Sequence, residues 1–91
     1  MKKRIHVWIS GLVKGVFFRA SIDELAKKLG IRGFTRNNPD GVEAVFEGNH
    51  DNLDEMLAFC KKGPKFSKVH DVKVKEETFT GEFRDFKVLH F

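Results

Sequence analysis

Residues 11–20 read GLVKGVFFRA and connect a strand pattern to a helix pattern. Before this stretch, apolar residues alternate with polar or amphipathic ones, which is the period of a half-buried strand. The alternating residues are Ile5, Val7 and Ile9 on one side and His6, Trp8 and Ser10 on the other. After the stretch, apolar residues recur at helical spacing, at Ile22, Leu25, Ala26 and Leu29. Residues 11–20 are therefore predicted to be a strand-to-helix connection.

The composition of this connection suits an anion of phosphate size. Gly11 and Gly15 let the backbone turn its N–H groups inward, and the start of the following helix adds unpaired donors and a positive dipole end. Arg19 would complete the site with a forked, permanently charged side chain. The spacing matches neither GxxxxGK[ST] nor GxGxxG, so a nucleotide-binding loop is not indicated. A tight turn followed by a surface arginine explains the same residues, and from this stretch alone it stays open.

Length and composition predict a single domain over residues 1–91. The chain is 41% apolar and contains ten phenylalanines, which can supply a core. It has no apolar run of about 18 residues and no signal-peptide pattern, so we expect a soluble, cytoplasmic protein with no membrane segment. Seventeen basic and thirteen acidic residues give a net charge of +4, which favours anionic ligands but lacks the basic stripe of a dedicated nucleic-acid binder. The single cysteine, Cys60, lies on an apolar helical stripe and is expected in the core.

The rest of the chain continues with helix, strand and turn signals. The first helix can start near Arg19 to Ser21, where Ser21 and Glu24 have capping-box spacing, and it ends at Gly30. Ile31 to Asn37 and Val42 to Gly48 read as strands around the turn residues 38–41.

Asn49 or Asp51 can cap a second helix, which closes before Gly63 and Pro64. Val69 to Lys75 reads as a fourth strand and Phe83 to Phe91 contains a short fifth one.

The order β-α-β-β-α-β with an added short strand predicts an α+β, ferredoxin-like sandwich. In this plan both helices cover one face of an antiparallel sheet, with the first and third strands central. Ile5, Val7 and Ile9, with Val45 and either Ala44 or Phe46, are expected to form the apolar floor beneath the helices.

Asn37 is a candidate companion of Arg19, because the ends of the first and second strands can lie near each other. An asparagine side chain offers both a donor and an acceptor, so it can hold a water beside a bound phosphate. Since residues 37–41 read Asn-Asn-Pro-Asp-Gly, Asn37 could instead simply begin the turn, and that alternative stays open here.

Residues 11–19, together with 33–37 and 39–43, resemble the two signatures of the acylphosphatase family. Gly63-Pro64 and Phe86-Lys87-Val88 are also in register, so the resemblance covers nearly the whole chain. It implies hydrolysis of carboxyl–phosphate anhydrides, with an acyl phosphate as substrate and inorganic phosphate as product. It also implies that Arg19 and loop N–H groups bind phosphate, that Asn37 positions the attacking water, and that no metal or cofactor takes part. The predicted phosphate-binding residues are Lys14, Gly15, Val16, Phe17, Phe18 and Arg19.

Two departures from the family pattern concern the site. Lys14 stands where the family usually has glutamine, which adds a positive charge beside the loop. The turn is one residue shorter, because Asp40-Gly41 runs directly into Val42.

Other functions have weaker support in the sequence. The four histidines show no ligand-like local spacing, so a metal site is not expected. The aromatic strand motif of RNA-binding sheets is missing, so we expect no nucleic-acid partner. A catalytically silent anion-binding or interaction module of the same fold is the main alternative. We expect a monomer that acts on a small molecule.

Overall fold

The computed structural model describes residues 1–90 and contains five strands and two helices. In chain order they are β1 (Lys2–Leu12), α1 (Phe18–Leu29), β2 (Arg32–Asn38), β3 (Gly41–Asn49), α2 (His50–Lys62), β4 (Lys68–Glu77) and β5 (Phe86–Val88). The strands form one sheet in the order β4-β1-β3-β2-β5. The predicted ferredoxin-like α+β sandwich is confirmed, and β1 and β3 lie inside the sheet as expected.

The sheet is mixed rather than wholly antiparallel. Strands β4, β1, β3 and β2 pair antiparallel, whereas β5 pairs parallel with β2, with Gly33 opposite Phe86 and Thr35 opposite Val88. The reason is the connection between β4 and β5, which lie at opposite edges of the sheet. Residues 78–85 cross the sheet between these edges, so β5 enters in the direction of β2. The predicted fifth strand also included Phe91, which lies outside the described residues.

The core lies between the sheet and the helices. The helix-facing floor is made of Ile5, Val7, Ile9, Val42, Ala44 and Phe46, and the helices bury Phe18, Ile22, Ala26, Leu53, Met56 and Cys60 on it. Full burial of one large apolar side chain is worth roughly 1.5–3 kcal/mol. The assignment of Val45 to this floor is wrong. Since neighbouring strand residues point to opposite faces, Val45 lies on the other face, where it pairs with His6 and Phe34.

The helix ends differ from their predicted signals at the N-termini. Helix α1 begins at Phe18, and the Ser21 N–H already donates to the Phe17 carbonyl at 3.0 Å, so the predicted capping box is wrong. Asn49 occupies the N-cap position of α2 but makes no capping hydrogen bond with its side chain. Gly30 ends α1 in the left-handed conformation, with φ of 70°, as predicted.

Within residues 1–90, neither helix has the length and apolar character needed to cross a membrane.

Candidate active site

The loop between β1 and α1 reaches the helix through two left-handed residues. Gly15 has φ of 72° and Phe17 has φ of 61°. Within the described chain, none of the backbone–backbone hydrogen bonds outside helices and strands is donated by residues 14–17. The loop therefore offers free N–H donors immediately before the positive end of the α1 dipole, an arrangement suited to an anion.

Arg19 lies in the first turn of α1 and is held by the C-terminal segment. Its Nη1 donates to the Leu89 carbonyl at 3.1 Å and lies 3.5 Å from His90 Nδ1. The Leu89 N–H in turn donates to the Thr35 carbonyl of β2 at 2.8 Å. Because a guanidinium has five N–H donors, this anchoring leaves most of them available for a ligand.

Asn37 lies near the end of β2, opposite Val42 and on the helix side of the sheet. Its Oδ1 is buried and has no hydrogen-bond partner in the described chain. The turn is stabilised by the next residue instead, because the N–H groups of Asp40 and Gly41 donate to Asn38 Oδ1 at 3.0 and 2.7 Å. The turn-forming role considered for Asn37 thus belongs to Asn38, and an unused acceptor remains on Asn37.

The loop, Arg19 and Asn37 come together around an open cavity of about 430 Å³. Its lining residues are Val13, Gly15, Phe17, Phe18, Arg19, Ala20, Asp23, Asn37, Val88 and His90. A smaller adjoining cavity of about 200 Å³ is lined by Arg19, Asn37, Leu89 and His90. Arg19 and Asn37, which were predicted to be companions, therefore line the same cavity although they are distant in sequence.

A larger cavity, of about 670 Å³, lies on the other face of the sheet. It is lined by Trp8, Ile9, Ser10, Asn38, Asp40, Asp71 and Lys73. Its charged groups have both signs, and the Asn38 Oδ1 acceptor is already used by the turn. The cavity of about 430 Å³ is the candidate active site, because the free donors, Arg19 and the unused acceptor of Asn37 meet there.

The family model described as Acylphosphatase matches residues 5–88 of the chain. The chain belongs to the acylphosphatase family. An acylphosphatase of Syntrophobacter fumaroxidans is 54% identical over 88 residues, which cover 96% of this chain and 91% of that protein. The solved structure of an acylphosphatase from Coxiella burnetii matches with a TM-score of 0.91 at 32% identity and covers 97% of this chain and 93% of that one. The acylphosphatase from Bacillus subtilis matches with a TM-score of 0.87 at 31% identity, over 98% of this chain and 99% of that one.

Two predicted phosphate-binding residues of this acylphosphatase-family chain do not line the cavity. The Lys14 side chain is exposed, and its Nζ donates to the Pro39 carbonyl at 3.5 Å. Val16 is half-buried and packs against the core. Any phosphate contact of these two residues would therefore come from their backbone N–H groups rather than from their side chains.

Sequence reasoning missed Asp23 and the C-terminal residues of the site. Within residues 1–90, Asp23 Oδ1 is buried and has no hydrogen-bond partner, while Oδ2 accepts from Lys27 Nζ at 3.1 Å. Its spacing of four residues from Arg19, which places the two on one helix face, was an available signal. The approach of Val88, Leu89 and His90 had no local signal, because it depends on where β5 joins the sheet.

The remaining reactive groups lie outside this site. Cys60 is a buried core side chain, as predicted, and this burial raises the pKa of its thiol to about 12. His50, Asp51 and Asp54 cluster at the start of α2 with potential ligand atoms within 4.8 Å of one another. All three are exposed, and His50 Nε2 lies 3.3 Å from Asp54 Oδ2, the geometry of an ordinary surface pair.

Proposed function

We propose that this chain hydrolyses the carboxyl–phosphate bond of acyl phosphates, releasing a carboxylate and inorganic phosphate. Membership of the acylphosphatase family supports the reaction class. The observation that carries the proposal is the convergence of Arg19, the unused Asn37 Oδ1 and a donor-rich loop on one cavity. Together these groups can bind a phosphate and a water molecule beside it.

The loop and Arg19 would bind the phosphoryl group of the substrate. The N–H groups of residues 14–17 and the start of α1 can donate to its oxygens, and the free N–H groups of Arg19 can clamp two of them. Because Leu89 fixes one guanidinium nitrogen, the remaining donors are already oriented before the substrate arrives. Such preorganised donors stabilise the charge that develops on the transferring phosphoryl group.

Asn37 would hold the attacking water by accepting a hydrogen bond from it at Oδ1. The water oxygen then bonds to phosphorus while the bond between phosphorus and the carboxyl oxygen breaks. The electron pair of that bond leaves with the carboxylate, and a proton of the water passes to a phosphate oxygen. Because a carboxylate is a good leaving group, this step needs positioning and charge stabilisation rather than a strong side-chain base.

We propose further that the chain works as a cytoplasmic monomer without a metal or cofactor. One copy of the chain is sufficient for the proposed site, because it supplies the loop, Arg19, Asn37 and the anchoring Leu89.

The test is hydrolysis of benzoyl phosphate by the purified chain, followed by the loss of substrate absorbance in the presence of excess EDTA. We expect turnover that inorganic phosphate inhibits competitively, because inorganic phosphate and the phosphoryl group of the substrate would bind to the same loop N–H groups and Arg19. Phosphate binding without any turnover would instead identify a catalytically silent anion-binding module. Activity that EDTA abolishes and magnesium restores would contradict the metal-free mechanism.

A further inference from the structure

Phe17 combines three features that the fold itself does not require. Its side chain is 82% exposed, its backbone is left-handed with φ of 61°, and it lines the cavity that contains Arg19 and Asn37. Its neighbour Phe18 is 1% exposed and belongs to the core. The burial that normally accounts for a phenylalanine thus applies to Phe18 and not to Phe17.

The backbone conformation makes an aromatic residue at position 17 more unusual. Left-handed geometry favours glycine, and among other residues asparagine tolerates it best, whereas a bulky side chain is disfavoured there. Phe17 also occupies the N-cap position of α1, where a phenylalanine side chain cannot cap the helix. Stability of the loop would therefore favour a different residue, which suggests that the exposed ring has a binding role.

The position of the ring relative to the proposed phosphate site indicates what it could contact. The loop N–H groups and Arg19 hold the phosphoryl end, so the acyl end of a substrate must extend toward the open side of the cavity. Four of the residues that line the cavity are apolar: Val13, Phe17, Phe18 and Val88. The volume of about 430 Å³ falls in the range of small-molecule sites, roughly 300–1,000 Å³, and leaves room for a group larger than phosphate.

We propose that Phe17 is a specificity-determining residue whose ring packs against the acyl group of the substrate. The chain then favours acyl phosphates with an aromatic or long aliphatic acyl group over acetyl phosphate. This inference rests on the proposed function and adds the substrate class to it. The contact would remove two apolar surfaces from water, which stabilises the complex without taking part in the chemical step.

Phe66 provides a matched control for this proposal. Within residues 1–90, Phe17 and Phe66 are the non-glycine residues with positive φ, and Phe66 is 77% exposed with φ of 74°. Phe66 does not line the Arg19 cavity. The two residues therefore share conformation and exposure and differ in their relation to the site.

The experiment compares kcat/KM for benzoyl phosphate with kcat/KM for acetyl phosphate in four proteins: wild type, Phe17→Asn, Phe17→Tyr and Phe66→Asn. Asparagine keeps the left-handed backbone while removing the ring. We expect the ratio of benzoyl to acetyl kcat/KM to fall by about tenfold in Phe17→Asn, as for loss of an apolar contact. It should remain near wild type in Phe17→Tyr and Phe66→Asn.

Two results would overturn the inference. One is an unchanged ratio in folded Phe17→Asn, which means that the ring does not contact the acyl group; if that variant does not fold, Phe17→Gly, which also accepts the left-handed backbone and removes the ring, provides the same comparison. The other is an equal fall in Phe66→Asn, which makes the effect a general one of loop conformation. Failure of the wild type to hydrolyse either substrate would overturn the proposed function, and this inference with it.

Discussion

The cavity around Arg19 and the polar network around Arg4 lie on opposite faces of the sheet and differ in how their polar groups are paired. On the network side, Arg4 donates to Glu77 at 2.9 Å, and Glu47 accepts from Thr80 and Gly81 N–H groups at 2.9 and 3.2 Å. On the cavity side, the loop N–H groups and two buried acceptors, on Asp23 and Asn37, have no protein partner in the described chain. Among residues 1–90, one buried polar atom on the network side, Nε of the Arg36 that pairs with Glu43, also has no hydrogen-bond partner.

This difference separates two uses of polar residues in one small fold. A buried polar group without a partner costs roughly 1–3 kcal/mol, so a chain that concentrates such groups at one place gives up stability there. A ligand that pairs with them recovers that cost on binding. Polar groups that already have partners stabilise the fold instead. Substitutions on the cavity side should therefore change turnover, and substitutions on the network side should change the free energy of unfolding.

The largest effect is expected for Arg19→Ala. Loss of a charge clamp on a transferring phosphoryl group should lower kcat/KM by roughly 10³–10⁵-fold. Arg19→Lys should recover little of this loss, because an ammonium group cannot reproduce the bidentate fork. The measurement is kcat/KM for benzoyl phosphate, with the melting temperature as a check that each variant is folded.

Arg36→Ala is the matched control, since Arg36 lies on the network side and pairs with Glu43 at 3.2 Å. It should keep a near wild-type rate. Equal rate losses in the Arg19 and Arg36 variants would contradict the assignment of catalysis to the cavity side and of stability to the network side.

The second-largest effect on turnover is expected at one of two neighbouring asparagines, Asn37 and Asn38, whose side chains lie on opposite faces of the sheet. Asn37→Ala should lower kcat on the order of 10²–10³-fold while leaving the inhibition constant of phosphate unchanged, because its proposed partner is the water. Asn38→Ala should keep kcat but lose about 1 kcal/mol of unfolding free energy, because its Oδ1 accepts two turn hydrogen bonds. A normal kcat with a lowered melting temperature in Asn37→Ala would show that Asn37 contributes to stability rather than to catalysis.

The sequence predicted those features whose signals are local. The alternation of Ile5, Val7 and Ile9 and the C-terminal Gly30 lie within one element each, so periodicity and capping rules were sufficient. The parallel arrival of β5 was not predictable in this way, because it depends on a crossing of the whole sheet by residues 78–85. The same holds for the bond from Arg19 to the Leu89 carbonyl, which joins residues 70 positions apart.

The same distinction between local signals and long-range contacts applies to the candidate site. Arg19 could be proposed from the loop chemistry, and Asn37 gained its role chiefly from the resemblance to acylphosphatases. The left-handed backbone of Phe17 contradicts its own residue preference, so propensity rules could not reveal it. The network on the opposite face was missed because its partners, such as Glu47 and Thr80, are distant in sequence.

On the network side, Glu47→Gln should destabilise the fold more than it affects catalysis. Glu47 is 3% exposed and accepts from the Thr80 and Gly81 N–H groups, which fix the segment that crosses the sheet. Glutamine retains one acceptor oxygen and brings donors that face these N–H groups, so we expect a loss of about 1–3 kcal/mol in unfolding free energy by urea titration. The exposed Glu76 pairs with Lys3 at 3.8 Å, and Glu76→Gln should cost less than about 0.5 kcal/mol. If Glu47→Gln instead abolished turnover while keeping its stability, the division between the faces would be wrong.

A smaller effect than that of Glu47→Gln is expected at Glu43, whose contribution to stability should depend on pH. Burial by itself would raise the pKa of this carboxyl, but hydrogen bonds from His6 at 2.6 Å and Arg36 at 3.2 Å outweigh burial and hold the pKa below its ordinary value. A lowered pKa in the folded state means that Glu43 stabilises the fold above its unfolded pKa of about 4.3 and that this stabilisation disappears as the pH falls through the folded pKa. We expect Glu43→Gln to cost less than about 1 kcal/mol at pH 7, because partial desolvation offsets the hydrogen bonds.

The measurement is the difference in unfolding free energy between wild type and Glu43→Gln, from pH 7 down to pH 3. The pKa values of Glu77 and Glu82 are also lowered, chiefly by hydrogen bonds from His6 and Arg4 respectively. Glu82 titrates in both proteins, so its contribution largely cancels in the difference in unfolding free energy. Glu77 shares the partner His6 with Glu43, so the contribution of Glu77 can change when Glu43 is substituted. A second comparison, of Glu77→Gln with the Glu43→Gln, Glu77→Gln double variant, isolates Glu43 from this coupling.

The gap in unfolding free energy between the paired proteins should narrow below about pH 4.3 in both comparisons, since protonation removes the carboxylate that accepts from His6 and Arg36. A gap that widens below about pH 4.3 in both would mean that the carboxylate of Glu43 is a cost to the fold, and that this face too contains a polar group held for a purpose other than stability.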